Sequence, residues 1–224
     1  MEYILFLAAI AIMFWSVYLS FHVPHTFKKW NKVDASSGLT GAQVAERILH
    51  ANGIYDVAIG TVGGTLSDHY DPRSKTLNLS PDVAQNSSVG ALAVAAHECG
   101  HAIQHHEGYG LLKFRNTLVP VANIGSRAGV WLCIIGFSLS FVRFLIPIGI
   151  VLFAFAVLFH VITLPVELDA SKRALAQLEN GRMVYTDEEK HGAKKMLSAA
   201  AMTYVASTLA AVVQLLRLVL RARD

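Results

Sequence analysis

Long apolar stretches dominate the pattern of this chain. Apart from Arg127, four of them contain no Asp, Glu, Lys or Arg, and they cover residues 3–21, 118–142, 144–166 and 196–216. Each is about as long as the roughly 20 residues that a helix needs to cross the hydrocarbon core of a bilayer. In water, so much contiguous apolar surface would have to be buried by other parts of the protein. We therefore predict three membrane-spanning helices and a fourth, 196–216, that either spans the membrane or lies in or on it.

The long polar region between the first two stretches predicts a compact α+β unit. Residues 38–52 predict a helix with Thr40 as its N-cap, ended by Gly53. Two short β-like runs then flank the turn Asp71–Ser74, which indicates a hairpin. A second helical stretch begins at Ser80–Asp82, and Ser87 leads into a further run that Gly108 and Gly110 end.

These elements predict a mainly α-helical membrane protein with a small α+β element. That element consists of a short hairpin and the following helix, and it covers about 33–116 together with 167–195. No internal repeat or linker divides the chain. A single integrated domain, 1–224, is therefore the expectation.

Basic residues beside the apolar stretches predict the orientation in the membrane. The first stretch lacks a preceding basic run and a following cleavage site, which favours an uncleaved anchor. Lys28, Lys29 and Lys32 follow it, and residues 167–195 are also rich in Lys and Arg, so the positive-inside rule places both polar segments in the cytoplasm. Arg217, Arg221 and Arg223 would then lie outside if the last stretch spans, which disagrees with the rule.

Composition supports a membrane protein and excludes one class of partner. Hydrophobic residues make up 54% of the chain and charged residues 16%, and the net charge is only +3. The bilayer is thus the expected environment, and no nucleic-acid partner is expected. The two cysteines, Cys99 and Cys133, fall in a predicted helix and in a predicted span, so a reducing compartment fits better than a disulfide.

The stretch His97–His101 carries the pattern H-E-x-x-H. Residues four apart lie on one helical face, about 6 Å apart along the axis, so both imidazoles reach one Zn²⁺. Glu98 flanks that face, where it serves as the general base that takes a proton from a water acidified by the metal. This arrangement predicts peptide-bond hydrolysis with one zinc ion per chain, and it makes the small α+β element a catalytic element of zincin type.

Three residues are candidates for the third zinc ligand. His105 lies about 12 Å from His97 on a straight helix, too far for a shared ion. Glu107 occupies the position of the third His in metzincins, but Gln104 replaces the glycine that their turn needs. Glu167 is favoured, because it is the first carboxylate after the predicted membrane hairpin and returns to the side of the first two ligands.

Three blocks together resemble a known family over most of the chain. They are TVGGTLSDHYDP, AVAAHECGHAIQH and LPVELDASKRAL, and they resemble the YugP-type neutral zinc metallopeptidases of bacterial membranes. The resemblance implies His97, His101 and Glu167 as ligands, with Glu98 as the base, in a gluzincin-like enzyme. It also implies a protein of bacterial membranes. Together with the apolar stretches and the positive-inside rule, this predicts a multi-pass protein of the inner membrane whose active site faces the cytoplasm.

The resemblance leaves the residues around the ligands open. Related membrane metalloproteases carry an Asp four residues after the third ligand, whereas this chain has Ser171 there and Asp169 earlier. Either residue could orient His97 or His101. Similarly, His69 or Tyr70 either donates to the oxyanion beside an extended substrate, or merely belongs to the hairpin around Asp71.

The expected substrates are membrane proteins or peptides cut in extended form near the bilayer, and a partner subunit is left open. The rival interpretation is a non-proteolytic membrane scaffold or assembly factor that keeps zinc for structure. A structural site fills all four positions, whereas three ligands and an adjacent Glu98 leave one position open. A transporter would need polar groups throughout the spans, and these are nearly absent.

Overall fold

The computed structural model describes residues 2–223 and is mainly helical. In chain order the elements are α1 (Glu2–Trp30), α2 (Gly41–Ala51), β1 (Ala58–Thr61), β2 (His69–Asp71), β3 (Thr76–Leu79), α3 (Pro81–Ala84), α4 (Val89–His106), α5 (Gly110–Ile124), a π-helical turn (Gly125–Gly129), α6 (Val130–Ser138), a 3₁₀ turn (Ser140–Val142), α7 (Leu145–Asn180) and α8 (Asp187–Arg221).

Four helical segments are long and apolar enough to cross a membrane. They are α1, the segment Gly110–Ser138 formed by α5, the π-helical turn and α6, and the helices α7 and α8. The prediction of a mainly α membrane protein with a small α+β element is therefore confirmed. By length and composition, the fourth apolar stretch belongs with the other three.

The chain separates into two compact units. One comprises the chain up to Tyr18, Gly110–Val166 and the chain from Thr203 onward, and the other comprises Leu19–Tyr109 and Glu167–Met202. We call them the apolar unit and the catalytic unit. The predicted single integrated domain stays a prediction.

The apolar unit exposes the large side chains that a soluble protein buries. Phe141 is 78% exposed, Tyr3 72% and Trp131 64%. Glycines bring its helices close together: a Cβ at Gly129 would lie 2.8 Å from the carbonyl oxygen of Gly149. Such close backbone approach through small residues, with apolar groups turned outward, is typical of helices packed in lipid.

The catalytic unit has a conventional apolar core. Val44 and Ile48 of α2 and Leu92 and Ala96 of α4 belong to it, and all four are fully buried. Thr40 caps α2 as predicted, because its Oγ accepts from the amide of Gln43 while the Gln43 side chain accepts from the Thr40 amide. The α2 interface thus fixes one side of α4.

A three-stranded sheet with the order β1-β3-β2 covers another part of the catalytic unit. The predicted hairpin is present: β2 and β3 are antiparallel, and the Asp71 carboxylate accepts bonds from the Arg73 amide and the Ser74 hydroxyl in the turn. The parallel pairing of β1 with β3 was not predicted. Because β3 is central, β2 is an edge strand.

Two helices have bounds that the sequence pattern does not indicate. The helix that begins near residue 144 does not end at Val166 but continues to Asn180, so Glu167 lies within α7 rather than at a helix end. Hydropathy marks only the apolar part of a helix, and Ala170, Ala174 and Leu178 continue its buried face into the catalytic unit. Similarly, Gly110 begins α5 instead of ending the preceding helix.

Candidate metal centre

Two helices of the catalytic unit, α4 and α7, carry the candidate metal centre. The N-cap Ser88 begins α4 by accepting a bond from the amide of Ala91, 3.1 Å away. Four residues apart, His97 and His101 face the same side of this helix. Glu167 of α7 is 2% exposed and lies opposite them.

The three side chains converge on one point. One oxygen of Glu167, Oε2, lies 3.3 Å from His97 Nε2 and 3.4 Å from His101 Nε2. All three ligand atoms lie within 4.8 Å of one another. Two atoms bound to one zinc ion at tetrahedral angles and roughly 2.0–2.1 Å are separated by about 3.3 Å. Two imidazoles and one carboxylate at this spacing therefore fit a zinc ion.

The other ring nitrogen of each histidine has a partner of its own. His97 Nδ1 lies 3.2 Å from Ser171 Oγ, and His101 Nδ1 lies 3.0 Å from Gln104 Oε1. An amide oxygen can only accept, so His101 must carry a proton on Nδ1. Its Nε2 then presents a lone pair to the ligand position.

Gln104 is fixed in turn by Asp169. Its amide nitrogen donates to Asp169 Oδ2 over 2.8 Å, and Arg173 Nε donates to the same oxygen over 2.5 Å. Thus both residues that the sequence left open lie in this network of contacts: Ser171 contacts His97 directly, and Asp169 contacts His101 through Gln104. Their role in orienting the histidines stays a prediction. Sequence reasoning missed Gln104, although its position three residues after His101 on the same helix was a usable signal.

Glu98 lies beside the three-ligand group in an environment that retains its proton. It is 9% exposed, and its Oε2 accepts a bond of 3.0 Å from the main-chain amide of Tyr70. Burial raises the pKa of Glu98 to about 7, against a smaller opposing effect from His97. A carboxylate with a pKa in this range can both accept and return a proton near neutral pH.

The structure gives His69 and Tyr70 local partners. Tyr70 Oη lies 2.7 Å from His105 Nδ1, and burial raises the pKa of Tyr70 to about 12. His69 Nδ1 lies 2.9 Å from the carbonyl oxygen of Ser67, and its Nε2 lies 3.3 Å from the Asn78 amide. Tyr70 contacts the site through its main-chain amide, which donates to Glu98. An oxyanion role for either side chain stays a prediction.

The two rival third ligands lie outside the group of three. His105 contacts Tyr70, as described above, and Glu107 forms a 2.6 Å ion pair with Arg173. The Glu107 side chain is 51% exposed. Within residues 2–223, the group of potential metal ligands is His97, His101 and Glu167.

Together, the membrane helices and this site define a membrane protein with a zinc-type hydrolase centre. Consistent with this, the model of the family described as "Putative neutral zinc metallopeptidase" matches residues 3–223, and the chain belongs to that family. The chain is also similar to the "Putative membrane protease YugP" of Bacillus subtilis (strain 168). The two are 46% identical over 214 residues, which cover 96% of this chain and 93% of that protein. No solved structure matches the chain.

Proposed function

We propose that this protein is a zinc-dependent endopeptidase that cuts membrane proteins or peptides, with Glu98 as general base. The observation that carries the proposal is the convergence of His97, His101 and Glu167 beside the buried Glu98. Two histidines from one helix and a later glutamate correspond to a site of gluzincin type. One zinc ion per chain would be held by these three residues.

When bound, zinc supplies a Lewis acid that acidifies water and polarises the scissile carbonyl. The protein holds the donor atoms ready for it. The Gln104–Asp169 pair fixes the His101 tautomer, and Ser171 holds the His97 ring through Nδ1. Little rearrangement of these side chains is needed for binding.

The task of Glu98 is proton transfer. It takes a proton from the attacking water and later returns it to the leaving amine, which is the ordinary course of general acid–base catalysis at a peptide bond. Burial strengthens its basicity, and the Tyr70 amide holds one carboxylate oxygen in place. The second oxygen is left to meet the water.

A site of this kind favours catalysis over a structural role. Structural zinc sites fill four positions with protein ligands, whereas catalytic sites keep one open. Within the described residues the group has three members, and a buried glutamate adjoins it. This argues against the scaffold or assembly-factor alternative.

The edge strand β2 suggests how a substrate would be presented. The main-chain N–H of Tyr70 donates a hydrogen bond to Glu98, and it therefore points away from β3. An extended peptide laid along this edge would run past Glu98 and could pair with the strand. Unfolded segments of membrane proteins offer such extended chain close to the bilayer.

The proposed location is the bacterial inner membrane with the catalytic unit in the cytoplasm. Support comes from the Lys and Arg residues that flank the apolar stretches on that side. The test is labelling of Asp56→Cys with a membrane-impermeant maleimide, with the buried Cys99 and Cys133 replaced by Ala. Labelling should require opened cells. Labelling in intact cells would reverse the orientation.

The activity itself is tested with the full-length protein reconstituted in lipid and offered an unfolded membrane protein. Cleavage should stop on treatment with a zinc chelator and return when zinc is added back. Persistent cleavage after the metal has been removed would exclude a zinc mechanism. Zinc binding without cleavage of any membrane substrate would favour the scaffold.

A further inference from the structure

A cavity of about 750 Å³ lies within the apolar unit, at the carboxyl-terminal end of α8. Its wall includes residues from α1, α6 and α8. The polar part of the lining comes from Gln214, Arg217 and Arg221, and the aromatic part from Tyr3, Phe6 and Phe137. The cavity is therefore amphipathic, because cations, aromatic rings and aliphatic side chains share its lining.

The two arginines are held in place by rings rather than by carboxylates. Spaced four residues apart, Arg217 and Arg221 lie on one face of α8. The Arg217 guanidinium lies 5.6 Å from the centroid of the Phe6 ring, and that of Arg221 lies 5.1 Å from the Phe137 ring. Cation–π contacts of this kind orient a guanidinium without using its N–H donors. One Arg217 N–H donates to Gln214 Oε1 over 3.4 Å, and the guanidinium has further N–H groups that can meet an anion.

Across residues 2–223, no carboxylate lies within 4.0 Å of either guanidinium. Glu2 lines the same cavity without forming an ion pair with them. Two further cations, Arg143 and Arg223, line a neighbouring cavity of about 470 Å³ that shares Phe137 and Arg221 with the first. This end of the apolar unit thus concentrates positive charge.

We propose that this cavity binds the phosphate group of an anionic phospholipid. Guanidinium forks match phosphate oxygens in a bidentate manner. The wall also includes the apolar residues Val130, Ile134 and Leu218, which suit a glycerol backbone and acyl chains better than a free inorganic ion. Tyr3 and Phe6 add aromatic rings to the wall, and such rings are common where proteins meet lipid headgroups.

The proposal also accounts for a conflict in the charge pattern. Arg217, Arg221 and Arg223 oppose the orientation that the other basic segments predict. If these arginines bind a lipid headgroup, lipid binding explains why they lie on the side of the membrane that the positive-inside rule disfavours. The site concerns the apolar unit and stands independently of the proposed peptidase activity.

The test uses the full-length protein in detergent, with lipid binding counted by native mass spectrometry. Phosphatidylglycerol should bind with measurable occupancy and phosphatidylcholine far less. Arg217→Gln/Arg221→Gln should weaken phosphatidylglycerol binding by about tenfold or more, because charge-assisted hydrogen bonds are lost. The matched control is Arg47→Gln/Arg182→Gln, which removes two exposed cations from the catalytic unit and should bind like the wild type.

Three outcomes of the lipid-binding measurement would overturn the proposal. They are equal binding of the two lipids by the wild type, unchanged binding in the Arg217/Arg221 variant, and an equal loss in the control variant. Inorganic phosphate serves as a separate arm: if it displaces the lipid at comparable concentration, the site is a phosphate site and the lipid assignment fails. The thermal midpoint of each variant in detergent verifies that the protein is folded.

Discussion

Gly100 of α4 packs directly against the backbone of Ala170 of α7. A Cβ placed on Gly100 would lie 2.5 Å from the carbonyl oxygen of Ala170. Gly100 stands between the two histidine ligands, and Ala170 lies one turn after Glu167. The absence of a side chain at position 100 therefore sets how close the carboxylate comes to the imidazoles.

Gly100→Ala is expected to separate the ligands. The clash is with backbone, so one helix must move, at a cost of roughly 1–3 kcal/mol as in other overpacked cores. Zinc affinity should fall, together with the thermal midpoint, measured by metal titration and by melting in detergent. Gly63→Ala is the control, since a Cβ there meets nothing within 4 Å. If Gly100→Ala binds zinc with wild-type affinity, the close packing of α4 against α7 at Gly100 does not determine the spacing of the ligands.

Glu167→Ala should abolish stoichiometric zinc binding, because it removes one of three ligands. Glu107→Ala is its matched control: it removes a carboxylate that is paired with Arg173 and half exposed. The control should retain zinc. Metal content after dialysis separates the two variants, and the reverse result would return Glu107 as the third ligand.

Gln104→Met tests the contact that fixes His101. Methionine fills a similar volume but cannot accept the proton of His101 Nδ1 or donate to Asp169. Loss of such a partner typically lowers metal affinity by about 10–100-fold. A competitive zinc titration with a chelating dye would measure it. An affinity equal to that of the wild type would mean that the amide only fills space.

The raised pKa of Glu98 predicts that the stability of the folded protein depends on pH. Its pKa is raised from 4.5 to about 7, so the folded protein keeps a proton that the unfolded chain releases. The resulting stabilisation is complete below about pH 4.5 and is lost as the pH rises through about 7. The thermal midpoint of chelator-treated protein should therefore fall between about pH 5 and pH 8. It should fall less in Glu98→Gln, and an identical decline in both proteins would refute the assignment.

Local patterns of the chain predicted the features that depend on neighbouring residues. The H-E-x-x-H spacing places two imidazoles on one helical face, and Thr40 with Gln43 encodes a complete capping box. The turn at Asp71 likewise depends on bonds between residues close in sequence. Such short-range geometry is nearly independent of the rest of the fold.

Features that depend on packing between distant segments were less predictable. The contact of Gln104 with Asp169 joins residues that only the α4–α7 crossing brings together. The continuation of α7 to Asn180 depends on burial against the catalytic unit, which hydropathy does not record. The parallel pairing of β1 with β3 requires a crossover that short β runs do not specify.

The central claim is that Glu98 acts on a water molecule at a zinc site without itself holding the metal. The most direct measurement compares the zinc content and the cleavage rate of purified wild type and Glu98→Gln in lipid. Zinc should stay at one ion per chain in both proteins, while cleavage falls by about 10²–10⁴-fold in the variant. A Glu98→Gln protein that still cleaves at the wild-type rate would contradict the account.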